Sequence, residues 1–119
     1  RQDKKLVDRL TFLDTESGIR YCAQSEEVYE KVLHSYLDSD KTEEIEQYYQ
    51  DKDWKNYQVL VHALKSKSLS IGAEELAEDA RALEAAAREG RTDYIMEHHE
   101  EVMNSYRNLL NLLRRELQS

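Results

Sequence analysis

Residues 53–72 read DWKNYQVLVHALKSKSLSIG, and the spacing of their apolar side chains decides the fold class. Tyr57, Leu60, Val61, Leu64 and Ile71 recur at intervals of three, four and seven residues. At about 100° per residue these positions gather on one side of a helix running from about Asp53 to Ile71. Gly72 then supplies a left-handed helix terminator. His62 falls about 160° from the middle of the apolar stripe, so the helix is expected to present its imidazole to solvent.

The same periodicity extends in both directions. Upstream, Ser25 followed by Glu26 and Glu27 is a helix start, and Val28, Tyr29, Val32, Leu33, Tyr36 and Leu37 form one apolar face. Asp38, Ser39 and Asp40 interrupt it, Asp40 and Glu43 resemble a capping box, and Ile45, Tyr48 and Tyr49 continue a second helical stretch. Downstream, Glu74 to Glu89 place Leu76, Ala80, Leu83 and Ala87 on a small-residue stripe that stops at Gly90. The last helix begins around Thr92 and shows Ile95, Val102, Tyr106, Leu109 and Leu113 at helical spacing. Residues 3–13, with Leu6, Val7, Leu10 and Leu13, are expected to form a short amphipathic helix acting as a lid or linker. Asp14 to Gln24, containing Gly18, read as the connection to the first long helix. The expected fold is all-α: an antiparallel up-down four-helix bundle over 14–119 with a short additional N-terminal helix or linker over 1–13.

Bulk composition agrees with one such domain. The chain has 119 residues, 39% hydrophobic and 35% charged, with no proline and only three glycines, which leaves little hairpin-turn chemistry for a β-fold. A net charge of -8 argues against nucleic acid or an anionic membrane as partner. The single cysteine, Cys22, allows no internal disulfide and fits a reducing, cytoplasmic setting. No apolar run approaches the roughly 20 residues that span a bilayer. The chain begins at Arg1 rather than Met, which is compatible with excision from a longer polypeptide as well as with a stand-alone domain.

Several polar residues share the face of His62. Lys65 lies three residues on and about 60° away, close enough for its ammonium to pair with an anion on the imidazole. Ser66 is small and leaves the ring accessible. Gln58, Val59 and Leu69 border the same face as a docking rim, and Lys67 projects about 140° from His62 as a flanking cation. The other histidines lack such company. His34 reads as part of a solvated face, while His98 and His99 point about 100° apart and cannot jointly hold one ion. Tyr48 and Tyr49 read as bundle packing, and Cys22 as a small hydrophobe.

The run His62-Ala63-Leu64-Lys65-Ser66, with Gly72 ten residues after the histidine and Ala73 next, resembles the signature of histidine-containing phosphotransfer (HPt) domains. Gly18-Ile19-Arg20-Tyr21-Cys22 followed by Ser25-Glu26-Glu27-Val28-Tyr29 is similar to the stretch opening the first bundle helix of many bacterial members. Asp53-Trp54-Lys55-Asn56-Tyr57 and the segment from Leu76 to Gly90 also resemble their counterparts, so the likeness spans about residues 14–113. Ser66 stands where the family often has glycine, and Lys67 where it often has a small residue.

The resemblance implies a phosphocarrier of a multistep two-component phosphorelay. His62 would accept a phosphoryl group from a receiver aspartate and pass it to another, and Lys65 would offset the phosphoryl charge. Gln58, Val59, Ser66, Leu69, Lys67 and Gly72 would serve docking. A largely neutral imidazole suits that nucleophilic role. No cofactor is expected on this chain, and Mg²⁺ belongs to the partner receiver. No glycine-rich phosphate loop is present, so ATP is not expected to be the direct donor and the domain is not itself an enzyme. The dimerising domain of sensor kinases is similar here, yet it usually carries an acidic residue after its histidine and a nearby proline, where this chain has Ala63 and no proline. The expected setting is a cytoplasmic monomer, alone or at the end of a hybrid sensor kinase, docking receiver domains. The competing readings are a helical interaction module with the same fold and no relay, and a metal-dependent helical enzyme, for which paired ligands are missing.

Overall fold

A computed structural model describes residues 5–118, and among these it contains helices and no strand. The order is α1 (Leu6–Arg9), α2 (Thr15–Tyr21), α3 (Glu26–Asp38), α4 (Thr42–Gln50), α5 (Trp54–Ser70), α6 (Glu74–Arg88) and α7 (Thr92–Leu117). Local chemistry explains where the helices begin. The side chains of Asp14, Ser25 and Asp53 accept hydrogen bonds from the backbone N–H groups of Ser17, Val28 and Asn56 at 3.0, 3.2 and 3.2 Å. Each such cap typically contributes about 1 kcal/mol. Gly72 and Gly90 end α5 and α6 with φ of 84° and 72°, a conformation that L side chains rarely adopt.

Three-residue links at 71–73 and 89–91 turn the chain back, so α5, α6 and α7 pack as consecutive helical hairpins. The α5/α6 interface is the most extensive in the molecule. The core is filled by Tyr29 and Leu33 of α3, Ile45 of α4, Tyr57 and Val61 of α5, Leu83 of α6, and Ile95, Leu110 and Leu113 of α7. All but Leu110 are side chains whose spacing indicated the helices.

Three details depart from expectation. The helix expected over 3–13 is only the single turn of α1; residues 3 and 4 lie outside the described ones, and Leu10, just past the turn, is buried. The supposed connection from Asp14 to Gln24 contains α2, despite Gly18. A Cβ at Gly18 would meet the Tyr29 ring at 2.4 Å and the Ile71 carbonyl carbon at 2.9 Å, so this glycine serves close packing rather than a turn. The expected capping box at Asp40 and Glu43 is replaced by a shorter bond. Asp40 accepts from the Thr42 N–H at 2.9 Å, and the cap position of α4 falls to Lys41.

Candidate functional site

α5 and α6 build the site together. His62 lies near the middle of α5, on the side away from Tyr57, Val61 and Leu64, and its side chain is 55% exposed. Across the hairpin, α6 brings Glu84 to it, with Nδ1 of His62 2.6 Å from Oε2 of Glu84. The other carboxylate oxygen, Oε1, lies 3.3 Å from Nζ of Lys65, and Nη1 of Arg88 stands 3.9 Å from Oε2. One nearly buried carboxylate is thus shared by an imidazole and two cations.

The electrostatics assign the protons. Burial pushes the Glu84 carboxyl up, but the hydrogen bonds and charges of His62 and Lys65 outweigh it and hold the group below the ordinary carboxylate range. An ionised carboxylate only accepts, so Nδ1 of His62 donates its hydrogen to Glu84. In the neutral ring the lone pair is then on Nε2, to which no described residue hydrogen-bonds. The cavity of about 410 Å³ bounded by Phe12, Leu76, Asp79 and Leu109 does not include His62, which lies at an open helix face.

A family model described as Hpt domain matches residues 22–118, which covers α3 to α7. The chain belongs to the Hpt domain family. No curated protein and no solved structure matches it. Hpt domains act in histidine phosphotransfer within phosphorelays, are phosphocarriers rather than enzymes, and interact with receiver domains of response regulators or hybrid kinases. Among the described residues of this Hpt domain, no helix is long and apolar enough to cross a membrane.

The residues singled out in the sequence are not all brought to the histidine. Val59 and Ser66 are exposed on α5, and Gln58 and Leu69 are half-buried beside them. Lys65 does approach His62, but as an ion-pair partner of Glu84 and only 23% exposed, not as a free ammonium. Lys67 points elsewhere, its Nζ donating to Oγ of Ser39 at 3.4 Å. Gly72, expected among the docking residues, sits in the turn between α5 and α6. It is buried, its carbonyl accepts from the Asp14 N–H at 2.9 Å, and a Cβ there would lie 2.0 Å from the Asp14 carbonyl oxygen.

Glu84 was missed by reading α5 alone. It occupies a position one turn beyond Ala80 and directly after Leu83, within the apolar sector of α6, where a lone carboxylate asks for a partner. A hairpin folded about Gly72 also sets residues ten before and twelve after that turn near one another, which pairs His62 with Glu84. His99 was likewise missed as a core residue. It is 2% exposed, stacks on Tyr49 with ring centroids 3.7 Å apart, and bonds Tyr57 through Nδ1 and Glu46 through Nε2, both at 2.8 Å.

Proposed function

We propose that this Hpt domain accepts a phosphoryl group from a receiver aspartate on Nε2 of His62 and passes it to another receiver aspartate. The observation that carries this reading is the Nδ1 bond to Glu84, which leaves Nε2 as the nucleophilic nitrogen on a half-exposed ring. In the forward step the Nε2 lone pair attacks phosphorus and the bond to the aspartyl oxygen breaks, freeing the carboxylate of the donor. The Nδ1 hydrogen stays on the ring, and the positive charge that develops there faces the Glu84 carboxylate. The return step reverses this with a second aspartate. Lys65, one turn from His62 and already at the site, offsets charge on the phosphoryl oxygens.

The receiver supplies the Mg²⁺ that neutralises phosphoryl charge, and no cofactor is assigned to this chain. Val59, Ser66, Gln58 and Leu69 form the rim on which a receiver settles, and the domain works in the cytoplasm as a monomer. The phosphate arrives from a protein and not directly from ATP. Incubation with a receiver domain carrying labelled aspartyl phosphate tests the reading. Acid-labile label should pass to the wild-type domain and on to a second receiver, and His62→Gln should take up none. Label on the His62→Gln variant would move the site elsewhere, and a wild type that never takes label while still binding receivers would leave an interaction module.

A further inference from the structure

Arg88 has no role in the transfer just described, yet it sits beside the reacting ring. Its Nη1 lies 3.9 Å from Oε2 of Glu84, the same oxygen that bonds Nδ1 of His62 at 2.6 Å. That separation attracts the guanidinium without a hydrogen bond. The contrast with its neighbour on α6 is clear. Arg81 is locked on Glu78, with Nε to Oε2 at 2.8 Å and Nη2 to Oε1 at 2.9 Å. Arg88 is 56% exposed and keeps its donors available, and a guanidinium presents a planar fork suited to two phosphoryl oxygens.

The charge balance points the same way. Lys65 and Arg88 bring two positive charges to the single carboxylate of Glu84, so the site holds a surplus positive charge before any phosphate arrives. This occurs on a chain whose net charge is -8. A phosphoryl group adds close to two negative charges beside that same carboxylate. Lys65 is 23% exposed, whereas Arg88 is 56% exposed and only 3.9 Å from Glu84 with no hydrogen bond to it.

We propose that Arg88 is a second phosphoryl-binding residue of this site, parked on Glu84 in the free domain and transferring its guanidinium to the phosphoryl oxygens as the group reaches His62. This rests on the reading that His62 is the phosphorylated residue. Glu84 keeps the Nδ1 hydrogen bond throughout, so the exchange changes the partner of Arg88 and leaves the ring where it was.

The test uses potassium phosphoramidate as a small phosphoryl donor with the whole chain. The Nε2 lone pair of His62 attacks phosphorus, the phosphorus–nitrogen bond of the reagent breaks, and ammonia leaves. Labelling rates are compared for wild type, Arg88→Ala, Arg88→Lys and Arg81→Ala, with His62→Gln as the blank. Arg88→Ala should label about three- to tenfold more slowly at low salt, the deficit shrinking as salt screens the pair. Arg88→Lys should recover part of the loss, and Arg81→Ala should match wild type. The Nε resonance of Arg88 should shift when the wild type is phosphorylated. The His62 ring ¹⁵N shifts should be unchanged in Arg88→Ala, which separates phosphoryl binding from a structural effect on Glu84. An Arg88→Ala variant that labels at the wild-type rate at every salt concentration overturns the proposal and leaves His62 in place. A wild type labelled no more than His62→Gln overturns the reading of His62, and the role of Arg88 with it.

Discussion

Two histidines of this chain each face a glutamate, and they do so through opposite ring nitrogens. His62 gives Nδ1 to Glu84 at the surface of the α5/α6 hairpin and leaves Nε2 open. His99 gives Nε2 to Glu46 inside the α4/α5/α7 packing, and its Nδ1 is taken by the Tyr57 hydroxyl. Burial pushes the Glu46 carboxyl up, but the hydrogen bonds and charges of His99 and Arg107 prevail and hold it low, so Nε2 of His99 donates to Glu46 while Nδ1 is engaged by the Tyr57 hydroxyl. The same pair of side chains is therefore the proposed reactive site in one place and a structural tie in the other. What separates them is the second nitrogen: solvent faces it at His62, and a tyrosine closes it at His99. No buried side-chain nitrogen or oxygen among the described residues lacks a partner, which is what a histidine as deep as His99 requires.

The largest effect that tests this contrast is on stability. His99→Ala removes a ring 2% exposed, its stack on Tyr49 and two hydrogen bonds, and strands the partners Glu46 and Tyr57. It should lower unfolding free energy by about 3 kcal/mol. His62→Ala, on an exposed face, should stay within about 1 kcal/mol of wild type. Chemical denaturation of both variants decides, and equal losses would erase the distinction between tie and site.

A smaller effect concerns how the reactive ring is held. Glu84→Ala removes the acceptor at Nδ1, so the ring is free to place its hydrogen on Nε2, the nitrogen that must attack. Phosphorylation of His62 should slow about tenfold, equivalent to about 1.4 kcal/mol in the barrier. The ring ¹⁵N shifts of His62 should move toward the Nε2–H form, a signature that a mere packing defect would not produce. Unchanged shifts and rate would show that Glu84 does not set the tautomer.

The smallest effect separates the two lysines of α5. Lys65 reaches Glu84 at 3.3 Å, whereas Lys67 reaches Ser39 at 3.4 Å. Lys65→Ala should slow transfer onto His62 about threefold, an effect reduced by salt, and Lys67→Ala should leave the rate as it is. Transfer rates with one phosphorylated receiver compare them directly; equal losses would mean that proximity to the histidine is not what matters.

Much of the fold was legible because helix periodicity is local. The stripe of Tyr57, Val61 and Leu64 is buried and His62 on the opposite face is exposed, as their spacing required. The cap at Ser25 and the terminators Gly72 and Gly90 were equally readable, since each acts within a few residues of itself. The segment Asp14 to Gln24 was misread because Gly18 looks like a helix breaker in isolation. Only the approach of Tyr29 and Ile71 shows that the helix needs a residue without a side chain there.

The site divides along the same line. The sequence alone determined that a helix of α5's length forms and that His62 and Lys65 share its open face, because backbone hydrogen bonding sets about 100° per residue whatever the rest of the chain does. Tertiary structure alone decided that Glu84 meets Nδ1, that Arg88 stands beside them, and that His99 is sealed by Glu46 and Tyr57. Those pairings depend on how one helix's ridges settle into another's grooves, and a shift of a single residue along α6 would rotate Glu84 away from the histidine it serves.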